Sequence, residues 1–401
     1  MTNTIGPERF SRATEANGFG RQMEGRAAAL DSYANNFSPD TPKNRVVKRE
    51  NRLSARYWLW DHSSLKRVRF CGRYTTSTTG QVGIRRHGEA VGFAGVQSCG
   101  SVWACPVCNA KVMARRALEI GAAVESWTKA GGRVGFLTFT VRHHRGHSLE
   151  QVWAGIAKAW HRVTGGKAWK ADKEKFGALG FCKVVEVTQG RNGWHVHVHA
   201  LVFLDDAATA GTLRALQDSM FKRWKAGAIA GRLGALRTAQ DAKLVTDDVQ
   251  LSQYLAKQAH GAIGVELTST QSKVARSEHG TRSVWTVFDQ ARLGLAREVD
   301  LWFEWERTSK GKRQISWSHG MRDLVGLAQE DTDETVAAEE VGTADDTIAV
   351  LSEAGWSDLV EARLLGECLR AASKNLAALH AWLVMHNIEH VMVRGTDERA
   401  A

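Results

Sequence analysis

The chain has 401 residues, enough for two or more domains with ample cores, and carries 54 basic against 43 acidic side chains. The surplus is uneven: residues 329–401 hold 5 Lys/Arg and 15 Asp/Glu, whereas the preceding 328 hold 49 and 28. A body that basic is expected to attract a polyanion, nucleic acid above all, while the lack of any apolar run near ~20 residues and the polar start Met1-Thr2-Asn3-Thr4 argue against a membrane and for the cytoplasm.

Residues 1–50 are polar, with Pro7, Pro39 and Pro42 and no sustained period, and read as mostly disordered apart from a short helix around residues 22–33. Residues 51–128 read as a Cys-rich module followed by a basic helix. Cys71-Gly72 comes first, then Cys99-Gly-Ser-Val-Trp-Ala-Cys105-Pro-Val-Cys108. The CPxC turn lets two thiolates converge on one tetrahedral ion, and Cys99 and Cys71 complete four sulfurs, so a structural Zn²⁺ site is expected. A redox pair or plain buried cysteines is the alternative. Six unevenly spaced cysteines suit a reducing compartment, where metal ligation prevails over a disulfide framework. Cys182 and Cys368 stand alone and are expected in the core. Lys111, Arg115 and Arg116 open a helical run over 112–127.

Residues 133–140 (RVGFLTFT) read as a strand with Thr138 and Thr140 on one face. The loop Arg142-His143-His144-Arg145-Gly146-His147 suits a phosphate backbone or exposed bases, or is simply solvated. Apolar residues at helical spacing (Val152, Ile156, Trp160, Val163) mark a helix over 149–163. Residues 181–204 then form two apolar runs joined by a polar turn, a β-hairpin. Its second arm carries His195, His197 and His199 at alternate positions, and because successive strand side chains point to opposite faces, all three imidazoles share one face. Glu186, a lone carboxylate between Val185 and Val187, can return beside them. Such nitrogen and oxygen donors suit Mg²⁺, Mn²⁺ or Zn²⁺; a half-exposed strand with a histidine-rich polar face is the plainer reading. Strand, helix and hairpin in this order predict an α+β domain with an antiparallel sheet.

A helix over 207–226 and a short strand over 242–245 follow. Residues 249–258 are helical by pattern, with Leu251 and Leu255 on one face and Tyr254, one of only four tyrosines, with Lys257 on another. Residues 271–328, aromatic-rich, are expected as a helical extension. Residues 329–346 are acidic, hold no Lys or Arg, and read as a linker. Residues 347–401 are expected as a small, mainly helical accessory domain ending in a strand over 388–393, too acidic for DNA binding.

FLTFT (136–140), HVHVHALVFL (195–204) and YLAKQ (254–258) together resemble the three motifs of the HUH endonucleases, most closely the rolling-circle replication initiator (Rep) proteins of plasmids. CGSVWACPVCNAKV and WFEWERTSKGKRQISWSHGMRDLVGL (302–327) look like the Rep proteins of actinobacterial plasmids. The resemblance covers about residues 68–328. It implies a nuclease domain, here 129–270, with a five-stranded antiparallel sheet flanked by helices. It also implies a Mg²⁺ or Mn²⁺ ion held by the HUH histidines and a third polar ligand, and a tyrosine that cuts one strand and keeps its 5′-phosphate. Carried over, the histidine pair is His195/His197 or His197/His199, the apolar tail favouring the second. Glu186 matches the third ligand, Tyr254 the nucleophile and Lys257 the cation one turn on. Where some of these proteins have a glutamate four residues before the tyrosine, this chain has Gln250, with Asp247 and Asp248 the nearest acids. Implied partners are origin DNA, single-stranded or supercoiled, and a host helicase and polymerase. The alternatives are a relaxase or single-strand transposase, or a non-catalytic zinc-containing DNA-binding regulator.

Overall fold

The computed structural model describes residues 42–245 and 281–393. In that span the extended segments become ten strands: β1 (Val82–His87), β2 (Ala90–Ala94), β3 (Arg133–Phe139), β4 (Ala178–Gly190), β5 (Gly193–Leu204), β6 (Asp241–Leu244), β7 (Arg282–Ser283), β8 (Ile315–Trp317), β9 (Thr347–Leu351) and β10 (His390–Met392). They make two antiparallel sheets in two units, one of residues 116–245 with 281–330, the other of 42–115 with 331–393. The dividing point falls inside the helix Pro106–Lys129.

The first unit is built on the long hairpin β4–β5, in register from Gly190↔Gly193 down to Phe181↔Val202. Strand order is β6-β3-β5-β4-β7, with β8 also pairing β4. Alternation along β5 buries Val196 and Val198 on one face and leaves His195 and His197 half-buried on the other. Phe139, paired with Val198 across β3–β5, turns the apolar face toward Trp160 of the helix Leu149–Thr164 and Trp224 of the helix Ala210–Ala230, at ring distances of 6.2 and 5.1 Å. Both helices therefore cover the face opposite the histidines. Each such buried large side chain contributes roughly 1.5–3 kcal/mol. Their close approach requires Gly227, since a Cβ there would strike the backbone of Ala159.

Two expectations change here. The sheet has six strands among the described residues, not five, and residues 281–330 are not only helical: β7 and β8 come from this stretch and both pair β4. Strands of two and three residues are too short to show a period of two.

In the second unit the sheet order is β10-β9-β1-β2. Val82 and Ile84 of β1 share one core with Leu53 and Trp60 of the helix Pro42–His62, with Ile348 and Leu351 of β9, and with Leu359, Leu365, Leu379 and Leu383 of the last three helices. Residues 347–393 are therefore not a separate accessory domain; they complete the sheet begun at Val82. The segment 329–346 is likewise more than a linker. It contains the helix Asp333–Ala338, capped by Thr332, and Glu340 pairs with Arg85 at 2.9 Å and accepts from Gly95 N–H at 2.6 Å. Residues 42–50, expected as disordered, are helical instead, with Pro42 at the first helical position, which needs no N–H. Residues 22–33 lie outside the described residues.

Candidate functional site

In the first unit, register does the assembling. Glu186 stands directly opposite His197 across β4–β5, and His199 is the next residue on the same face. Donor atoms of Glu186, His197 and His199 all lie within 4.8 Å of one another. Glu186 Oε2 is 2.8 Å from His199 Nε2, and Thr138, opposite His199 on β3, places its Oγ1 3.1 Å from Nδ1. The Phe136 ring stacks on the same imidazole at 5.2 Å. A divalent ion that displaces the proton between Nε2 and Glu186 Oε2 would find both atoms turned toward one point, with Thr138 holding Nδ1. Two ligands at right angles on an ion with ~2.1 Å bonds stand about 3.0 Å apart, close to the observed 2.8 Å. The donor set thus fits a divalent ion. The Glu186 side chain retains 25% exposure, leaving an open side for a substrate.

His195 stands outside this group of three. Its Nε2 is 2.9 Å from Thr140 Oγ1, and its ring meets His143 edge-on at 4.6 Å. Burial lowers the pKa of His195 to about 3 and that of His197 to about 4, the latter against the pull of Glu186, so both imidazoles are neutral at neutral pH with lone pairs available. Burial also lowers His143, whose buried Nε2 has no hydrogen-bond partner among the described residues. The loop carrying Arg142, His143, His144 and Arg145 runs between β3 and the helix Leu149–Thr164, beside the hairpin turn, where a Cβ on Gly193 would lie 3.2 Å from Arg145 Cα. Arg142, His144 and Arg145 are exposed. Tyr254 and Lys257, with Gln250, Asp247 and Asp248, lie outside the described residues.

The second unit brings Cys71, Cys99, Cys105 and Cys108 together. Cys105 and Cys108 sit at the start of the helix Pro106–Lys129, where the helix dipole favours thiolate. Cys71 Sγ lies 3.5 Å from Cys108 and 3.7 Å from Cys105, and Cys99 Sγ lies 3.6 Å from Cys108. A tetrahedral Zn²⁺ with 2.3 Å bonds sets its sulfurs about 3.8 Å apart, so the spacing fits zinc and is far too long for disulfides. All four are buried, and Ser101 N–H donates to Cys99 Sγ at 3.4 Å. Hydrogen bonds from Cys105, Cys108 and Cys99 hold the Cys71 thiol well below its usual range, while the same contacts push Cys99 up. Cys182 and Cys368 are buried in the two cores, as expected.

Two functional contacts escaped the sequence reading. Thr138 and Thr140 were placed on one face, but their pairing to His199 and His195 follows only from the β3–β5 register. Arg56, beside the sulfur cluster, carried no signal in the sequence at all.

A family model described as "Replication protein" matches residues 93–216, a span that includes Cys99, Cys105, Cys108, Glu186 and all three strand histidines. A protein named "Protein rep" from Streptomyces lividans is 31% identical over 347 residues, covering 69% of this chain and 75% of the relative. A "Neomycin resistance protein" from Streptomyces cyanogenus is 30% identical over 174 residues, 34% of this chain and 40% of its own length. No solved structure matches. Among the described residues no helix is long and apolar enough to cross a membrane. A relative matched over three quarters of its length, together with a family model spanning the histidine hairpin, makes the chain a member of the replication (Rep) protein family of actinobacteria.

Proposed function

We propose that this replication protein initiates rolling-circle replication of a plasmid by nicking one strand of origin DNA in the cytoplasm and later rejoining it. The observation that carries the reading is the open three-donor group of Glu186, His197 and His199 on one face of a sheet in a basic unit. When bound there, Mg²⁺ or Mn²⁺ supplies charge neutralisation and alignment of a phosphodiester. Thr138 fixes the ring of His199, and His195, tied to Thr140, lines the approach. Arg142 and Arg145 offer exposed charge to the DNA backbone, with His143 and His144 beside them.

Tyr254 is the nucleophile of this reading. Its phenol, with an ordinary pKa of ~10, loses its proton more readily beside a cation such as Lys257. The phenolate oxygen attacks phosphorus, the bond from phosphorus to the 3′-oxygen breaks, and that oxygen takes up a proton. The products are a 5′-phosphotyrosine and a free 3′-OH, which primes a host polymerase as a host helicase opens the duplex. Attack of a 3′-OH on the phosphotyrosine reverses the step and rejoins the strand. The Cys71, Cys99, Cys105 and Cys108 group holds a structural Zn²⁺, closed to substrate.

Incubation with supercoiled plasmid and with single-stranded origin DNA in Mn²⁺ tests the reading. A unique nick and a covalent adduct lost in Tyr254→Phe, with binding retained, is the expected result. An adduct that survives the substitution moves the nucleophile elsewhere, and binding with no nick under any metal leaves a zinc-containing DNA-binding regulator.

A further inference from the structure

Arg56 is buried, at 5% exposure, yet its side chain forms no hydrogen bond or ion pair among the described residues, and its Nε has no partner. A guanidinium offers five donors and cannot shed its charge, so a buried one without an acceptor is costly. It packs against the face of Trp60, 5.5 Å from the ring centroid, and occupies the space over Gly72, where any Cβ would collide with it. Gly72 holds φ +59° and follows Cys71 directly. Arg56, Cys71 and Cys108 line one small cavity together with Lys111, Glu339 and Glu340.

Arg56 forms an ion pair with neither carboxylate of that cavity among the described residues; their ion pairs go to other arginines. Glu340 pairs with Arg85 at 2.9 Å and Glu339 with Arg115 at 3.7 Å, while Lys111 donates to the carbonyls of Ala337 and Glu339. What remains for Arg56 is the sulfur cluster. Four thiolates around a divalent ion carry surplus negative charge, and burying that surplus is as unfavourable as burying the lone guanidinium. A bound anion such as a DNA phosphate is the poorer partner, since two carboxylates and the thiolates face the same space.

We propose that Arg56 is the counter-cation of the Cys71, Cys99, Cys105 and Cys108 zinc site, a positioning residue that touches no ligand atom of its own yet sets how tightly the metal is kept. The inference rests on the zinc reading above.

The test uses the full chain purified with its metal. Zinc content is measured first, then zinc release to a chromogenic chelator, then the thermal midpoint in excess chelator. Arg56→Met should release zinc at least about tenfold faster, in the range seen when an outer partner of a metal site is lost. Its metal-stripped form should melt no lower than the metal-stripped wild type, because an unpaired buried charge has gone. Arg56→Lys, which keeps the charge, should release zinc nearly as slowly as wild type, and Arg73→Met, which removes a cation from the same Trp60 ring, should leave release unchanged. If Arg56→Met does not fold, fast release from Arg56→Lys still sinks the proposal. Unaltered release from Arg56→Met, or a lower midpoint in its stripped form, makes Arg56 a packing residue only. Zinc absent from the wild type removes the zinc reading itself, an outcome distinct from zinc present with release indifferent to Arg56.

Discussion

The two candidate metal centres are built by opposite means. In the first unit three donors stand on adjacent strands, so the ladder itself sets Glu186, His197 and His199 side by side, and the Glu186 side chain keeps 25% exposure. In the second unit four buried sulfurs come from the end of a short helix, a loop and a helix start, joined by separate bonds such as Gly72 N–H to Gln97 O and Trp60 Nε1–H to Cys71 O and not by one continuous ladder. A sheet can position ligands and leave them free for chemistry. Segments joined by separate bonds gain rigidity from a bound ion, which couples metal binding to their folding.

The contrast breaks first at the histidines. Replacing His197 and His199 together by Ala should lower Mn²⁺-dependent nicking by at least about 10³-fold, several kcal/mol of transition-state stabilisation, with the thermal midpoint nearly unchanged. A collapsed midpoint would make the open centre structural after all. The converse holds for Cys105→Ser: loss of zinc should lower the midpoint of its unit by roughly 10 °C or more, while cleavage of a short single strand changes little. Equal damage to both readouts erases the distinction between the two units.

Finer substitutions sharpen the comparison. Thr138→Val should weaken Mn²⁺ about tenfold, as loss of a ligand's hydrogen-bond partner does, and leave zinc content alone; unchanged Mn²⁺ affinity removes Thr138 from the site. The smallest effect is in pH. His195 and His197 titrate at about 3 and about 4 in the folded chain, against about 6.5 when unfolded. Between these values the unfolded chain binds protons that the folded one does not. Stability is therefore full above about pH 6.5 and is lost progressively as pH falls toward 4 and 3. Thermal midpoints in chelator should follow this slope, and His195→Gln should flatten it; an identical slope in the variant assigns the acid loss to other groups.

The parts that were legible in the sequence are those whose signal is local. Alternating histidines could only share a face, and a CPxC pair announces convergent sulfurs whatever the fold. Glu186 was readable because a hairpin folds back on itself and its register follows from its turn. Nothing local connects Val82 to Leu351 or Cys182 to Trp317, so the strands from 315–317 and 347–351 were assigned to a helical extension and a separate domain. The acidic run of 329–346 looked like a linker because its cations, Arg85 and Arg115, lie far back in the chain. The burial of Arg56 without an ion pair among the described residues is a three-dimensional fact, invisible in a sequence holding 54 basic residues.

The pairing of β9 with β1 bears on the order in which a ribosome delivers the chain. Residues 116–245 and 281–330 of the first unit lie, in sequence, between residues 42–115 and 331–393 of the second. Translation therefore supplies the whole histidine sheet while β1, with Val82 and Ile84, still waits for its partner strand. N-terminal-first folding, the usual course, is barred here: the unit that is begun first closes last. A premature stop just before Thr347 would leave every cysteine of the cluster and every histidine of the strand translated, yet expose an unpaired apolar edge of the kind that templates aggregation. Nonsense lesions just before or within β9 should accordingly behave as severe alleles, lost to insolubility and not to missing chemistry.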